Sequence, residues 1–222
     1  MLATAELASA AGVAPSTNVL DIGCGIGGPA RSLAAMFGCK VTGVDLSPAF
    51  IAAAEYLASR CGLSSRVSFQ LGDALDLPFE DSAFDVVLLQ HVAMNIEDRA
   101  ALYSEIARIL RLGGRFATYD LVLRTGGVAY PVPWARDAST SFLLSEHDTR
   151  VSLEGAGFTP IVWRDDTEPA LDWFKMTMAT PPQNGLNLGL VMGPDMREMV
   201  GNLARNIRED RVGVLFAVQK RD

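Results

Sequence analysis

The sequence predicts an α/β fold: a doubly wound, mostly parallel sheet of about seven strands with helices on both faces. Two observations support this prediction. Short β-branched runs alternate with helical stretches through the first half of the chain, and repeated strand–helix units build parallel sheets covered by helices. A glycine-rich turn also follows the first predicted strand and opens a helix, as ligand loops in such sheets do. The 222 residues, 49% of them hydrophobic, can form one domain with a substantial core.

Five strands alternate regularly with helices in the first half. The fourth, FDVVLLQ, is apolar almost throughout, as expected of a strand covered on both faces. Ser47 and Pro48 supply an N-cap and a first-turn proline for the helix after the second strand. Gly113 and Gly114 are expected to end the helix before the fifth strand. The predicted strands are 17–22, 40–45, 66–71, 84–90 and 115–122, and the predicted helices begin near 29, 48 and 97.

The second half is less regular. Residues 124–145 combine glycines and prolines with apolar residues, and we expect a long ordered loop or lid there. Trp163 and Trp173 lie in predicted regular elements and are expected in the core. We predict helices near 146–156, 167–178 and 195–208, strands near 158–164 and 212–219, and a turn-rich connector over 180–189.

Composition excludes several classes of protein. There are 19 Lys+Arg against 26 Asp+Glu, a net charge of −7, and no basic cluster, so nucleic acid is not the expected partner. No apolar run reaches the roughly 18 residues that a membrane span needs. Three cysteines without metal spacing predict no metal site and a reducing, cytoplasmic location. The Ala-rich start carries Glu6 and no basic segment, which is atypical of a signal peptide. This composition is compatible with a small-molecule partner.

The segment VLDIGCGIGG contains Gly23-x-Gly25-x-x-Gly28, the spacing of a dinucleotide-binding loop. Glycine suits this position because the backbone must turn sharply and let a ligand approach it. Asp45 ends the second predicted strand, where a carboxylate can accept hydrogen bonds from two ribose hydroxyls. Together they indicate a ribose-bearing cofactor. The alternative is that the glycines only pack the strand against the helix and Asp45 only caps the next helix.

Asp21 bears on which cofactor binds. A carboxylate two residues before the glycine turn would repel a pyrophosphate. It would tolerate a cofactor without phosphate that carries positive charge. S-adenosylmethionine is such a cofactor, with an ammonium, a sulfonium, a ribose and an adenine.

Four segments, VLDIGCGIGGPARSLA, VTGVDLS, GDALDLPFEDSAFDVVLLQ and ARILRLGGRF, are similar to successive motifs of class I S-adenosylmethionine-dependent methyltransferases. They resemble most the branch that methylates small molecules, such as the sarcosine/dimethylglycine, tocopherol, sterol and quinone-biosynthesis enzymes. The resemblance implies a Rossmann-like fold with an antiparallel last strand, S-adenosylmethionine as methyl donor and a small-molecule acceptor. We predict one methyltransferase domain over residues 1–222, with a cofactor half at about 1–122 and a lid and substrate side at about 123–222. A homodimer is one possible oligomeric state.

The resemblance also implies roles for individual residues. Asp45 would hold the ribose hydroxyls, and Leu46 would pack on the adenine. Asp73 would accept from the adenine amino group with help from the backbone amide of Ala74, although an ordinary turn role for Asp73 is the alternative. Gln90 would offer its carbonyl to the cofactor's ammonium. The residues expected around the methionine part are Asp21, Gly23, Cys24, Gly25 and Gly27, with Cys24 as a small space-filling residue.

Methyl transfer from a sulfonium depends mainly on holding the acceptor close and in line. His91 follows the fourth strand and is the candidate base or substrate-orienting residue, with a core role as the alternative. Several relatives carry a histidine pair a few residues later, where this chain has Met94 and Asn95, and Asn95 could orient a substrate. Tyr119, Tyr130 and Trp134 are candidate substrate contacts, the last two in the lid.

Two other functions remain as alternatives. The glycine spacing alone allows a nicotinamide-dependent oxidoreductase, against which Asp21 argues. The second alternative is a methyltransferase-like protein that binds cofactor with weak or no turnover. Only about 15 residues precede the first strand, where small-molecule members usually carry a helical extension over the cofactor. We therefore expect either a shortened reading frame or a more open site.

Overall fold

A seven-stranded sheet lies at the centre of the computed structural model, which describes residues 2–179 and 193–222. The strand order is β3-β2-β1-β4-β5-β7-β6. Strands β1 to β5 pair in parallel, and β7 pairs antiparallel with both β5 and β6. The predicted fold class, including the antiparallel last strand, is confirmed. The strands are β1 (Asn18–Ile22), β2 (Lys40–Asp45), β3 (Val67–Leu71), β4 (Phe84–Gln90), β5 (Leu110–Leu123), β6 (Phe158–Asp165) and β7 (Val212–Arg221).

Helices cover both faces of this sheet. Along β4, Val86 and Leu88 join the core cluster on one face, while Val87 and Leu89 join the cluster on the other. This alternation explains why the strand is apolar at successive positions, because both of its faces are buried. The helices are α1 (Leu2–Ala10), α2 (Gly28–Phe37), α3 (Pro48–Arg60), α4 (Arg99–Ile109), α5 (Glu146–Gly155), α6 (Thr167–Ala179) and α7 (Met196–Arg208), with short 3₁₀ turns at Ala93–Asn95 and Ala138–Thr140.

Helix α1 lies in the stretch for which the sequence predicted no element. Leu7 and Ala8 are fully buried in the core cluster that includes β1 and α2. At the surface, Glu6 accepts a hydrogen bond from Arg164 of β6 at 2.8 Å. The residues before β1 therefore form a packed helix against the sheet.

The junction between α4 and β5 differs from the prediction. The helix ends at Ile109 and the strand begins at Leu110, so Gly113 and Gly114 lie inside β5 and do not end the helix. A Cβ on Gly114 would lie 3.1 Å from the backbone oxygen of Asp85. The pairing of β4 with β5 shifts register at this point. The glycine pair therefore accommodates an irregularity in the sheet, where the two strands approach closely.

The predicted lid is an ordered loop that packs on α6 and α7. Asn206 of α7 bonds to both the amide and the carbonyl of Ala129, and Asn202 donates to the carbonyl of Pro131. On α6, Trp173 is 53% exposed, so its expected core position is wrong. Leu171 and Phe174 of that helix pack instead on the satellite core, a smaller cluster of buried residues that includes Met94 and Leu203. The predicted connector at 180–189 lies outside the described residues.

Two features of the described residues concern a membrane span and a metal site. Within residues 2–179 and 193–222, no helix combines the length and apolar character needed to cross a bilayer. Over the same part of the chain, no three His, Cys, Asp or Glu side chains are grouped to hold a metal ion. The predicted lack of a metal cofactor stays a prediction.

Candidate active site

The predicted site residues collect at the carboxyl edge of the parallel strands. The loops after β1, β2, β3 and β4 all leave the sheet at this edge. Gln90 at the end of β4 stands beside Tyr119 of β5 in the register. Open α/β sheets bind ligands in the crevice at this edge, so the topology brings distant parts of the sequence into one region.

The glycine loop after β1 turns sharply into α2. Gly23, Gly25 and Gly27 all have positive φ, between 53° and 73°, a conformation that other residues adopt at a cost. The amides of Gly23 and Cys24 both donate to the carbonyl of Val44, at 2.8 and 3.0 Å. A Cβ on Gly23 would lie 2.3 Å from the Val92 side chain, whereas a Cβ on Gly25 would meet nothing within 4 Å. Gly25 therefore presents bare backbone to open space.

Asp45 joins the end of β2 to this loop. One carboxylate oxygen accepts from the amide of Gly25 at 2.9 Å, and the other accepts from the amide of Ser47 at 2.9 Å. Leu46, the next residue, is 69% exposed. A carboxylate and an apolar side chain thus stand together beside the glycine loop, and this arrangement suits a ribose attached to a flat aromatic base.

Asp21 is a buried carboxyl group beside the glycine loop. It is 2% exposed, and its Oδ2 atom has no hydrogen-bond partner among the described residues. Burial raises the pKa of Asp21 from 3.8 to about 7, the amide of Ala30 opposes that rise, and the nearby Asp45 adds to it. An unpaired buried carboxylate is costly, so this oxygen is poised to accept a hydrogen bond or a positive charge.

Cys24 is packed inside the loop. It is 4% exposed, and its Sγ would lie 2.8 Å from a Cβ placed on Gly43 of β2. Burial, reinforced by Asp21 and Asp45, raises the pKa of the Cys24 thiol to about 12. A thiol with so high a pKa is a poor nucleophile. The geometry supports the interpretation of Cys24 as a small space-filling residue.

The loop after β3 places Asp73 beside β2. The amide of Gly72 donates to the carbonyl of Asp45 at 3.2 Å, which fixes the start of this loop. Asp73 is exposed, and its Oδ1 accepts from the amide of Leu75 at 2.9 Å. Ala74 is buried. Asp73 therefore stabilises its own turn, and one of its carboxylate oxygens remains for a ligand.

Gln90 ends β4 and is held by the N-terminal helix. The hydroxyl of Thr4 donates to Oε1 of Gln90 at 2.9 Å. The other amide atom, Nε2, is buried and has no hydrogen-bond partner within the described ranges. In this arrangement the side-chain oxygen of Gln90 is occupied by Thr4 and the unsatisfied group is a donor. Because a hydroxyl can donate or accept, the predicted contact between the Gln90 side-chain carbonyl and the cofactor's ammonium requires the opposite orientation of the amide. The sequence contained no signal for Thr4 because its partner lies 86 positions away.

His91 and Asn95 lie in the turn over residues 91–96 that follows β4. His91 has a φ of +56°, and its ring stands edge-on to that of Tyr119, with centroids 5.4 Å apart. Although His91 is exposed, desolvation by the surrounding protein lowers the pKa of its imidazole, and the Asp120 carboxylate acts in the opposite direction. The Asn95 amide nitrogen donates to the carbonyl of Val92 at 3.2 Å. A neutral imidazole is thus available at this edge.

Asp120 and Arg99 also lie behind this turn, and sequence reasoning missed both. Asp120 is 4% exposed and accepts from the amides of Val92 and Ala93, at 3.3 and 2.7 Å. Arg99 is 7% exposed and donates to the carbonyls of Ile96 and Phe142, each at 2.9 Å. An acid in the apolar strand FATYDLVL was a signal that could have singled out Asp120.

The aromatic candidates lie on the substrate side. Tyr119 and Trp134 are both half-buried against the satellite core of Met94 and α6–α7 residues. Burial is the main cause that raises the pKa of Tyr119 to about 12. Trp134 donates from its indole nitrogen to Ser141 at 2.9 Å. Tyr130 is half-buried in the same lid, and its role as a substrate contact stays a prediction.

A doubly wound sheet with a glycine loop after β1 and an acid at the end of β2 is the arrangement typical of nucleoside-binding α/β folds. Residues 20–118 match the family model described as a methyltransferase domain, Methyltransf_11. This part of the chain is similar to methyltransferase domains. The predicted resemblance to class I S-adenosylmethionine-dependent methyltransferases is confirmed over these residues.

Among curated proteins, the sterol 24-C-methyltransferase of Saccharomyces cerevisiae is 32% identical over 179 residues, covering 76% of this chain and 46% of the relative. The chain spans less than half the length of the curated relatives with which it was compared. Among solved structures, a geranyl diphosphate C-methyltransferase from Streptomyces coelicolor A3(2), in complex with Mg²⁺, geranyl diphosphate and S-adenosyl-L-homocysteine, has a TM-score of 0.81 at 21% identity, covering 99% of this chain and 79% of that one.

A second solved structure with this fold has a different described activity. The [4+2]-cyclase SpnF gives a TM-score of 0.77 at 24% identity and covers 98% of this chain and 80% of its own. At these identities the two structures establish the fold, while the chemistry must be argued from the residues of the site.

Proposed function

We propose that this chain transfers a methyl group from S-adenosylmethionine to a small-molecule acceptor. The observation that carries the proposal is the unpaired, buried oxygen of Asp21 beside the glycine loop. A cofactor with phosphates would place negative charge against this carboxylate, whereas a cationic cofactor would satisfy it. When bound, S-adenosylmethionine supplies a methyl group on a positively charged sulfur that is already activated for displacement.

The residues of the carboxyl edge fit such a cofactor. Asp45 would accept from the ribose hydroxyls, and the exposed face of Leu46 would lie against the adenine. Asp73 would accept from the adenine amino group, and the backbone amide of Ala74 would donate to a ring nitrogen of the adenine. The bare backbone of Gly25 would let the methionine part approach closely, with Gln90 at its far end. These roles rest on placement in the structure and on the family resemblance.

The acceptor side would be formed by His91, Asn95 and the aromatic residues of β5 and the lid. His91 would orient the acceptor or remove its proton, because the lowered pKa keeps the imidazole neutral around pH 7. Tyr119 and Trp134 would form an aromatic wall that positions the acceptor and limits access of water. The acceptor atom, nitrogen, oxygen or carbon, is left to experiment.

The proposal is tested by calorimetric titration with S-adenosylmethionine, S-adenosylhomocysteine and NAD in parallel. We expect binding of the first two and none of NAD. Transfer of a labelled methyl group is then screened across amines, phenols and sterol-like acceptors. Binding of NAD alone would overturn the proposal in favour of an oxidoreductase.

One other outcome has its own meaning. Tight binding of S-adenosylhomocysteine without transfer to any acceptor would favour a cofactor-binding protein of another activity. The [4+2]-cyclase with the same fold makes this second candidate concrete. A negative result must therefore be accompanied by the binding measurement, which separates loss of the cofactor site from a different chemistry.

A further inference from the structure

The turn over residues 91–96 has a backbone that needs external support. His91 adopts a φ of +56°, and a residue with a Cβ in this region carries a cost of about 1 kcal/mol or more. Such conformations persist where the surrounding structure holds them. The amide of His91 is tied to the carbonyl of Tyr119 at 3.0 Å, so the turn is attached to β5 at its first residue.

The next two residues of the turn are attached to β5 by a side chain. Oδ2 of Asp120 accepts from the amide of Ala93 at 2.7 Å and from the amide of Val92 at 3.3 Å. Its Oδ1 accepts from the amide of Leu121 at 2.8 Å. At 4% exposure the carboxylate is shielded from water. Amides that donate to a buried carboxylate form charge-assisted hydrogen bonds, which are stronger than neutral ones.

Two basic groups face this buried carboxylate. Burial raises the pKa of the Asp120 carboxyl group, and both basic groups act in the opposite direction. The first is Arg99 of α4, which also donates to the carbonyl of Ile96 at the far end of the turn. The imidazole of His91 is the second. Asp120 in turn is the charged group that acts on His91, while Tyr119 contacts the imidazole through its ring. The Asp120 carboxylate thus accepts hydrogen bonds from the backbone amides of the turn, and its charge acts on the imidazole of His91.

We propose that Asp120 is a positioning residue for methyl transfer, holding the 91–96 turn so that His91 and Asn95 face the acceptor. The inference rests on the proposed function, because it assigns a role within the same site. Asp120 itself is buried behind the turn and acts through the two residues that it holds. Its carboxylate supports the strained backbone and stabilises the imidazolium form of His91.

The first test follows the two histidines by NMR, and it requires no knowledge of the acceptor. The chain contains only His91 and His147, and a His147→Gln variant assigns their signals. Asp120→Asn keeps the shape of the side chain and removes the charge. Because the carboxylate favours the imidazolium, we expect the His91 titration in this variant to move to lower pH.

The second test compares turnover with cofactor affinity once an acceptor is found. Asp120→Asn should lower kcat by about 10–100-fold, the scale expected when a reacting group is misplaced. Affinity for S-adenosylhomocysteine should stay within about twofold, since Asp120 supports the acceptor side of the site. The matched control is Asp85→Asn. Asp85 also accepts a backbone amide, that of Asn18 at 2.8 Å, but at the opposite edge of the sheet.

Three results would overturn the inference: an unmoved His91 titration in Asp120→Asn, an equal loss of turnover in Asp85→Asn, or a parallel loss of cofactor affinity. If Asp120→Asn fails to fold, hydrogen exchange of the wild-type protein tests whether Asp120 anchors the turn. The amides of Val92 and Ala93 should then be protected although they lie in a turn, and rapid exchange would refute the anchor. Wild-type protein that binds no S-adenosylhomocysteine refutes the proposed function separately, since the His91 titration does not depend on it.

Discussion

Thr4 in the first helix donates a hydrogen bond to Gln90 at the end of β4, across 86 positions of the chain and at 2.9 Å. The contact places α1 at the carboxyl edge of the sheet, beside the glycine loop and the 91–96 turn. The residues before β1 therefore contain a helix that reaches one of the proposed cofactor ligands.

Thr4→Val should weaken binding of S-adenosylhomocysteine by about 2–12-fold, because a neutral hydrogen bond contributes roughly 0.5–1.5 kcal/mol. Valine keeps the shape of threonine and removes the donor that orients Gln90. Thr4→Ser retains a hydroxyl and should bind within about twofold of wild type. Calorimetric titration measures all three proteins. Equal affinities in wild type and Thr4→Val would show that α1 does not support the cofactor site through this bond.

Asp45→Ala should have a larger effect than the Thr4 variant. The proposed bonds to the ribose hydroxyls are charge-assisted, and each contributes roughly 1.5–3 kcal/mol. The change also leaves the Gly25 amide without its partner. We expect affinity for S-adenosylhomocysteine to fall by at least about tenfold. Asp172→Ala removes the same charge from the exposed surface of α6 and is the control. An Asp45→Ala protein with wild-type affinity would exclude Asp45 from the site.

Asp21 predicts a pH dependence of cofactor binding. Burial raises the pKa of Asp21 to about 7, so the carboxyl group is mostly protonated below neutral pH. A cationic cofactor favours the ionised form, and binding should therefore release a proton and strengthen as the pH rises from about 6 to about 8. The limiting slope is about tenfold in affinity per pH unit. Calorimetry in two buffers of different ionisation enthalpy measures the proton release.

Asp21→Asn is the matched variant, with the same shape and no charge. Its affinity should be weaker above pH 7 and should lose most of the pH dependence. Whether affinity rises or falls with increasing pH identifies the sign of the charge on the ligand. Affinity of the wild type that falls with rising pH would indicate an anionic ligand at the glycine loop and would contradict the proposed cofactor.

The parts of the site at the strand ends could be predicted from sequence, because a parallel sheet collects the ends of its strands at one edge. Asp45 and Gly25 are 20 positions apart and yet share a hydrogen bond of 2.9 Å. The glycine turn and the apolar strands that lead to this edge have local patterns. The family match over residues 20–118 covers the same region.

The elements that were missed depend on tertiary contacts. Helix α1 has almost no periodic difference between its faces, and only packing reveals that Leu7 is buried. Asp120 is conspicuous as an acid in an apolar strand, but its partners are backbone amides 27 and 28 positions earlier, which only the structure reveals. The glycine pair at 113–114 resembles a helix end, but the close approach of β4 places it within a strand.

Arg99 predicts a link between the lid and the 91–96 turn. Its guanidinium donates to the carbonyl of Phe142 in the lid and to the carbonyl of Ile96 in the turn, while the amide of Phe142 donates to the carbonyl of Met94. Arg99→Met keeps much of the volume and removes the donors, and it also leaves Asp120 with less compensating charge. Hydrogen bonds from a charged donor contribute roughly 1.5–3 kcal/mol each, and the change removes two of them.

We therefore expect Arg99→Met to lower the melting temperature by about 6–20 °C and to expose residues 124–145 to limited proteolysis. Arg136→Met is the control, because Arg136 lies in the same lid but pairs with Asp195 at the exposed surface. Such a pair is worth at most about 1 kcal/mol. Equal melting temperatures for the two variants would show that Arg99 does not fasten the lid. A larger drop in melting temperature for Arg99→Met than for Arg136→Met, with faster cleavage in the lid, would show that the Arg99 guanidinium orders the acceptor side of the site.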